Sequence, residues 1–265
     1  MSEQVILTVN DVCKHFSRNN KTVTANHHIN LTLFEGEILG IVGESGSGKS
    51  TLAKLLMNIQ SPDFGTIEVC GKEFSCLKGE ALRQARRDVQ MIFQDPIASM
   101  DPKKRVKDII CEPLLNYGLI SHSEIKTKAT ELLYAVSLNE TFLEKYPHNM
   151  SGGQAQRVAI ARAISIKPKL LLCDEATSAL DVSVQKSIID TLLELNKKDN
   201  ISIIFISHDI YLTKFIANRI IVMKDGEIVE TLTKESYEHG KHDPYTLKLM
   251  KSASILNDKL LNEQK

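Results

Sequence analysis

Apolar and polar residues alternate along the first stretch of the chain, with Val5, Leu7 and Val9 followed later by Ile29, Leu31 and Leu33. Period-two patterning of this kind predicts antiparallel strands with one buried face. Ile38-Leu39-Gly40-Ile41-Val42 is apolar throughout, as in a central parallel strand covered on both sides. A glycine-rich turn and a helix starting near Ser50 come next. From about Asp95 to Ile166 the period lengthens, and Ile125, Ala129, Leu132, Leu133 and Val136 fall on one helical face. Two further apolar runs, Leu170 to Cys173 and Ile201 to Ile206, have the length of buried strands. The helix between them carries Val184, Ile188, Leu192 and Leu195 on one side, with Asp181 placed to cap its start. Strand, helix and strand in this order predict a parallel sheet with right-handed crossovers. Ile220 to Met223, a turn at Asp225-Gly226 and Ile228-Val229 predict a closing hairpin. The polar tail beyond Leu232 is expected to be an accessory segment, 232–265.

The 265 residues suit one large α/β domain, and a hydrophobic share of 42% is enough for a sizeable core. Lys+Arg and Asp+Glu balance at 33 each, which removes the basic bias of a dedicated nucleic-acid binder. No apolar run approaches the roughly 18 residues of a membrane span. Met1-Ser2-Glu3-Gln4 lacks the basic flank and apolar core of a signal peptide, so a soluble, cytosolic chain is expected. Five cysteines, at 13, 70, 76, 111 and 173, form no Cys-x-x-Cys pair and read as reduced thiols. His27-His28 reads as a solvated turn, with no carboxylate or thiol spaced along the chain to complete a metal site.

Gly43-Glu44-Ser45-Gly46-Ser47-Gly48-Lys49-Ser50, followed by Thr51, matches the phosphate-binding P-loop, between a buried strand and a helix. Its glycines let successive amides turn inward toward phosphate oxygens, and the helix start adds its positive end. Lys49 would neutralise the β- and γ-phosphates, and the Ser50 hydroxyl would ligate Mg²⁺. The apolar run Leu170 to Cys173 ends in Asp174-Glu175. Asp174 would hold Mg²⁺, directly or through water, and Glu175 would polarise the attacking water as general base. These elements alone would fit a P-loop kinase or GTPase equally well.

Met150-Ser151-Gly152-Gly153-Gln154 closely resembles the signature of the ABC ATPases, and Gln156 to Ala163 resembles the same family. Ser151, Gly152 and Gly153 precede a helix and offer a hydroxyl and amides to an anion. The resemblance runs from about Val5 to Met250 and implies the ABC ATPase fold. That fold is an α/β P-loop core with a mostly parallel sheet, an antiparallel β subdomain and an inserted helical subdomain, here about 95–166 of a domain spanning 5–250. It further implies that Gln94 contacts Mg²⁺ or water, that Ser178 to Asp181 forms the D-loop at a dimer seam, and that His208 orients the γ-phosphate and water. Phe16 resembles the aromatic that stacks on adenine, with His15 as the alternative. Signature residues 151–154 and Asp181 would then meet a nucleotide held by a second ATPase subunit, so that two chains enclose two ATP molecules. Met150 departs from the usual leucine, a volume-conserving exchange.

Gln94 to Pro102 and His242-Asp243-Pro244-Tyr245-Thr246-Leu247 resemble segments of the peptide and nickel uptake ATPases, with Asp243 inserted in the second. The resemblance implies an ATP- and Mg²⁺-dependent subunit on the cytoplasmic face of a membrane. Its expected partners are permease subunits, a second ATPase, identical or different, and an external binding protein, with no nucleic acid. No cysteine follows Cys173, so the C-terminal iron–sulfur cluster of many relatives is not expected. Relatives acting on DNA or ribosomes carry coiled coils, zinc-binding insertions or two cassettes per chain, none of which is seen here.

Overall fold

A computed structural model describes residues 4–18, 21–178 and 180–262. The chain divides into two compact units, 1–83 with 202–265, and 84–201.

The first unit opens with long strands β1 (Val5–Arg18) and β2 (Lys21–Phe34), paired antiparallel with Leu7 opposite Leu33 and Val9 opposite Leu31. The alternation holds from Leu7 to Val9 and from Ile29 to Leu33. At the strand start a register shift between Val5 and Leu7 leaves Val5 42% exposed, against expectation, and buries Ile6 instead. A bulge reverses the facing of the residue beside it. Strand β3 (Ile38–Val42) is buried at all five positions and leads into helix α1 (Lys49–Leu56), whose Leu52, Ala53, Leu55 and Leu56 are buried. Each such leucine contributes about 2 kcal/mol of apolar burial. Strands β4 (Phe64–Val69) and β5 (Lys72–Glu73) complete an antiparallel sheet of order β2-β1-β4-β5, and α2 (Gly79–Ala85) follows.

The second unit begins with β6 (Val89–Ile92), then α3 (Val106–Asn116), α4 (Ile125–Ala135) and α5 (Gly152–Ile164). On α4 the predicted face is buried at Ala129, Leu132 and Leu133. Strand β7 (Leu170–Asp174) runs parallel to β6, with Met91 opposite Leu172. Helix α6 (Val182–Asp199) starts at the predicted cap, where Asp181 accepts a hydrogen bond from the Val184 amide at 3.0 Å.

Returning to the first unit, β8 (Ser202–Ser207) pairs parallel with β3 and is buried throughout; α7 (Ile210–Ile216) follows. Strand β9 (Arg219–Lys224) lies parallel to β3 on its other side. Strand β10 (Glu227–Thr233) closes the predicted hairpin against β9. With both edges paired and all five positions buried, β3 carries no polar side chain.

The tail is helical, as α8 (Lys234–His239) and α9 (Pro244–Asn262), and packs into this unit through buried Tyr245, Thr246 and Leu249. His27 and His28 lie in β2 rather than in a turn, and carboxylates distant in sequence do reach them. His27 Nδ1 is 2.8 Å from Glu227 and His28 Nδ1 is 2.5 Å from Asp11. Each ring has its own carboxylate, and among the described residues no three His, Cys, Asp or Glu converge as a metal cluster. No helix among the described residues is long and apolar enough to cross a membrane.

Candidate functional site

In the first unit the P-loop leaves β3 at Gly43 and re-enters regular structure at Lys49. Gly48 sits at φ +101°, and a Cβ there would lie 2.3 Å from the Ala25 carbonyl oxygen, so only glycine fits. The loop is tied from several sides. Asn26 Nδ2 donates to the Gly48 carbonyl at 3.3 Å, and the Gly226 amide of the β9–β10 turn donates to the Ser47 carbonyl at 3.1 Å. Lys49 is 5% exposed and folds its ammonium into the loop, donating to the carbonyls of Gly43 at 2.7 Å and Glu44 at 2.8 Å and to Ser47 Oγ at 3.3 Å. A buried ammonium is costly unless its protons are matched, and here the loop supplies three oxygens that phosphate oxygens could replace. Ser45, Gly46 and Ser50 stand exposed on the crest, with Thr51 half-buried behind them. The first amides of α1 have no partner within their own helix, which makes its start receptive to an anion.

One expectation fails at Glu44. Its amide does not turn inward but donates to the Tyr245 hydroxyl at 2.9 Å, and its carboxylate meets Lys248 Nζ at 2.9 Å. A residue of the tail claims this donor.

His208 is exposed directly beyond β8, before Asp209 caps α7 by accepting from the Leu212 amide at 3.0 Å. Phe16 lies on β1 and is 38% exposed, with Lys14 Nζ 5.7 Å from its ring centre. The competing His15 is committed elsewhere. Its amide donates to Asp63 at 2.7 Å and its ring lies 3.4 Å from the same carboxylate. The Lys14 ammonium and the His15 amide hold the Asp63 carboxyl below its ordinary value against a smaller opposing effect of burial.

In the second unit β7 delivers Asp174, half-buried, at its end. Glu175 follows with φ +48°, a left-handed conformation rare for a residue with a long side chain. Ser178 holds this bend, its amide and hydroxyl donating to the Glu175 carbonyl at 3.2 Å and 3.1 Å. Strain of this kind clusters at functional positions, and no residue pattern signals it. Gln94, just past β6, donates from Nε2 to Glu175 Oε2 at 2.9 Å. Two candidate residues far apart in sequence are thereby brought into contact.

The signature forms the start of α5. Ser151 and Gln154 make a reciprocal capping box, Gln154 N donating to Ser151 Oγ at 3.4 Å and Ser151 N to Gln154 Oε1 at 3.1 Å. Gly153 is needed for packing, since a Cβ on it would lie 2.5 Å from Val184 Cγ1 of α6. Gly152 is exposed, and a Cβ there would come within 3.3 Å of Leu180 Cδ2. Asp181 also accepts from Ser183 Oγ at 2.6 Å. That bond, with the one from the Val184 amide, holds its carboxyl below the usual range. Of the expected D-loop, Ala179 lies outside the described residues. Gly153→Ala should lower hydrolysis roughly a hundredfold through misplacement of the helix start. Adding Val184→Ala should restore most of it if packing is the cause, as steady-state phosphate release will show.

Arg162 on the same helix was not singled out in the sequence. Its guanidinium donates to the Ser99 carbonyl at 2.7 Å and to Ser99 Oγ at 3.1 Å, anchoring the segment after Gln94. Burial pulls its pKa below the ordinary value. Arg162→Leu orphans that carbonyl and should lower stability by about 2–3 kcal/mol in denaturant titration.

Comparison with known proteins identifies the family. A family model described as "ABC transporter" matches residues 26–178, which include the P-loop, the signature and the acidic pair. The chain belongs to the ABC transporter family. The oligopeptide transport ATP-binding protein OppF of Salmonella typhimurium is 38% identical to it, covering 99% of this chain and 81% of that protein. The dipeptide transport ATP-binding protein DppF of Lactococcus lactis subsp. cremoris is 44% identical over 86% of this chain and 74% of its own length. Among solved structures, a dimeric ATP-binding cassette in a post-hydrolysis state with ADP and Pi superposes with a TM-score of 0.80 at 32% identity. The match covers 86% of this chain and 99% of that one. The fold is therefore the ABC ATPase fold, and the activity is ATP hydrolysis in the service of transport. An ABC ATP-binding subunit of this kind dimerises and works with transmembrane permease partners.

Proposed function

We propose that this chain energises the uptake of peptides through a membrane permease, acting at the cytoplasmic face as one of two ATPase subunits. An external binding protein would present the cargo. The observation that carries this reading is the similarity to oligopeptide and dipeptide transport ATP-binding proteins, which extends over 99% and 86% of the chain and past the family-model region into the tail. Nickel and metal–chelator complexes are the alternative cargo of the same uptake group.

In this reading residues 5–250 form the ATP-binding domain, 95–166 the helical subdomain and 232–265 an accessory tail. Phe16 stacks on adenine. Residues Gly43 to Thr51 cradle the phosphates, and Lys49 neutralises the β- and γ-oxygens. Glu175 accepts a proton from the attacking water, Gln94 orients Glu175 through the amide it donates, and His208 aligns the γ-phosphate. Ser151 to Gln154 and Asp181 act on the nucleotide held by the second subunit, so an isolated monomer hydrolyses slowly. The donor set suits magnesium, because the Ser50 hydroxyl, the Asp174 carboxylate and the side-chain carbonyl of Gln94 are hard oxygen ligands. That carbonyl stays available because Gln94 meets Glu175 through its nitrogen. Bound there, Mg²⁺ would screen the charge on the phosphate oxygens.

The test is reconstitution with the co-purifying membrane partners in lipid. Hydrolysis should rise when peptide-loaded binding protein is added on the opposite side, and nickel should have no effect. Stimulation by nickel alone, or purification without a multi-span partner, would defeat the peptide reading.

A further inference from the structure

Within the P-loop, the peptide unit joining Gly43 to Glu44 is held from both sides. Its carbonyl, that of Gly43, accepts from Lys49 Nζ at 2.7 Å. Its N–H, that of Glu44, donates to the Tyr245 hydroxyl at 2.9 Å. The chain contains no cis peptide among the described residues, and in a trans peptide these two groups point in opposite directions. Rotation of this unit would break both bonds together.

Tyr245 has a firm base from which to act. It is 8% exposed, at the start of α9, and its own amide donates to Asp243 Oδ1 at 2.7 Å. The preceding residues are fastened to β10, His242 Nδ1 lying 3.0 Å from Glu230 Oε1 and the Asp243 amide donating to Glu230 Oε2 at 3.0 Å. Lys224 Nζ stands 5.4 Å from the ring centre. Lys248 pairs with the Glu44 carboxylate, but both side chains are well exposed and such pairs hold little in water. The buried hydroxyl is the stronger tie.

We infer that Tyr245 is a positioning residue for ATP: through the Gly43–Glu44 peptide it fixes the carbonyl that anchors Lys49, and so sets the lysine for the β- and γ-phosphates. The tail is thus a working part of the nucleotide site. This inference rests on the reading of Lys49 as the phosphate-binding lysine. It names a donor–acceptor relay that the P-loop pattern does not contain, since the acceptor comes from a residue some two hundred positions downstream.

The full-length chain carrying Tyr245→Phe keeps the ring and loses only the hydroxyl. Titration with ATP should show an affinity about fivefold weaker than the wild type, the effect of one hydrogen bond. Titration with AMP, which lacks the β- and γ-phosphates, should show no change. In a Lys49→Ala background the same substitution should cost nothing further, because the group it positions is gone. Unchanged ATP affinity in Tyr245→Phe, an equal loss for AMP, or the same fivefold loss without Lys49 would overturn the inference. If Lys49→Ala alone binds ATP as the wild type does, the phosphate-lysine reading falls, and this inference with it.

Discussion

Glu175→Gln should lower ATP hydrolysis roughly a thousandfold, within the usual range for loss of a general base, while ATP should still bind. The amide is nearly isosteric with the carboxylate, so the left-handed bend at φ +48° and the Ser178 bonds to the backbone carbonyl are retained. What is lost is the ability to take a proton. Chains that bind but cannot hydrolyse should accumulate as ATP-loaded dimers. Single-turnover phosphate release and size-exclusion chromatography with ATP check the two halves of this expectation. Turnover equal to the wild type would remove Glu175 from the role of base. The Gln94 amide bears on the choice of substitution. It donates to Glu175 Oε2 at 2.9 Å, so a glutamine that presents its nitrogen there would push Gln94 away, whereas the flipped rotamer would keep the bond.

Lys49→Ala is the second large effect. An ammonium that is 5% exposed and donates to two loop carbonyls and a hydroxyl ties the loop together, and it would supply the charge for the phosphates. Its removal should weaken ATP binding at least about a hundredfold, as when one preorganised electrostatic contact is deleted. A small fall in melting temperature should accompany it, since the Gly43 and Glu44 carbonyls lose a donor. Lys49→Arg should not rescue binding. A planar guanidinium is wider than an ammonium and cannot enter a pocket shaped by Gly43, Glu44 and Ser47. Isothermal titration with ATP and with AMP separates the two effects, because AMP does not reach the lysine.

Much of this was legible in the sequence because each element obeys a local rule. The apolar run Ile38 to Val42 became a strand with parallel neighbours on both edges, and the Asp181 cap started α6 as expected. Glycines at 43, 46 and 48 mark the turn that the structure forms between a strand and a helix. The remainder depends on distances between residues remote along the chain, which periodicity cannot encode. Nothing around Tyr245 indicates that its hydroxyl would accept the Glu44 amide, although the segment containing it stands out as a motif. The partner of Arg162 lies in a loop whose path follows no repeat. Val5 shows the limit of alternation itself, since one register shift moved it to the surface and drew Ile6 inside. The histidines of β2 show the reverse case, where spacing along the chain hid carboxylates that folding supplies.

The starts of α5 and α6 touch where Gly152 and Gly153 face Leu180 and Val184, with no side-chain volume on the glycine side. A methyl group added at Gly153 would therefore press the start of α5 away from α6.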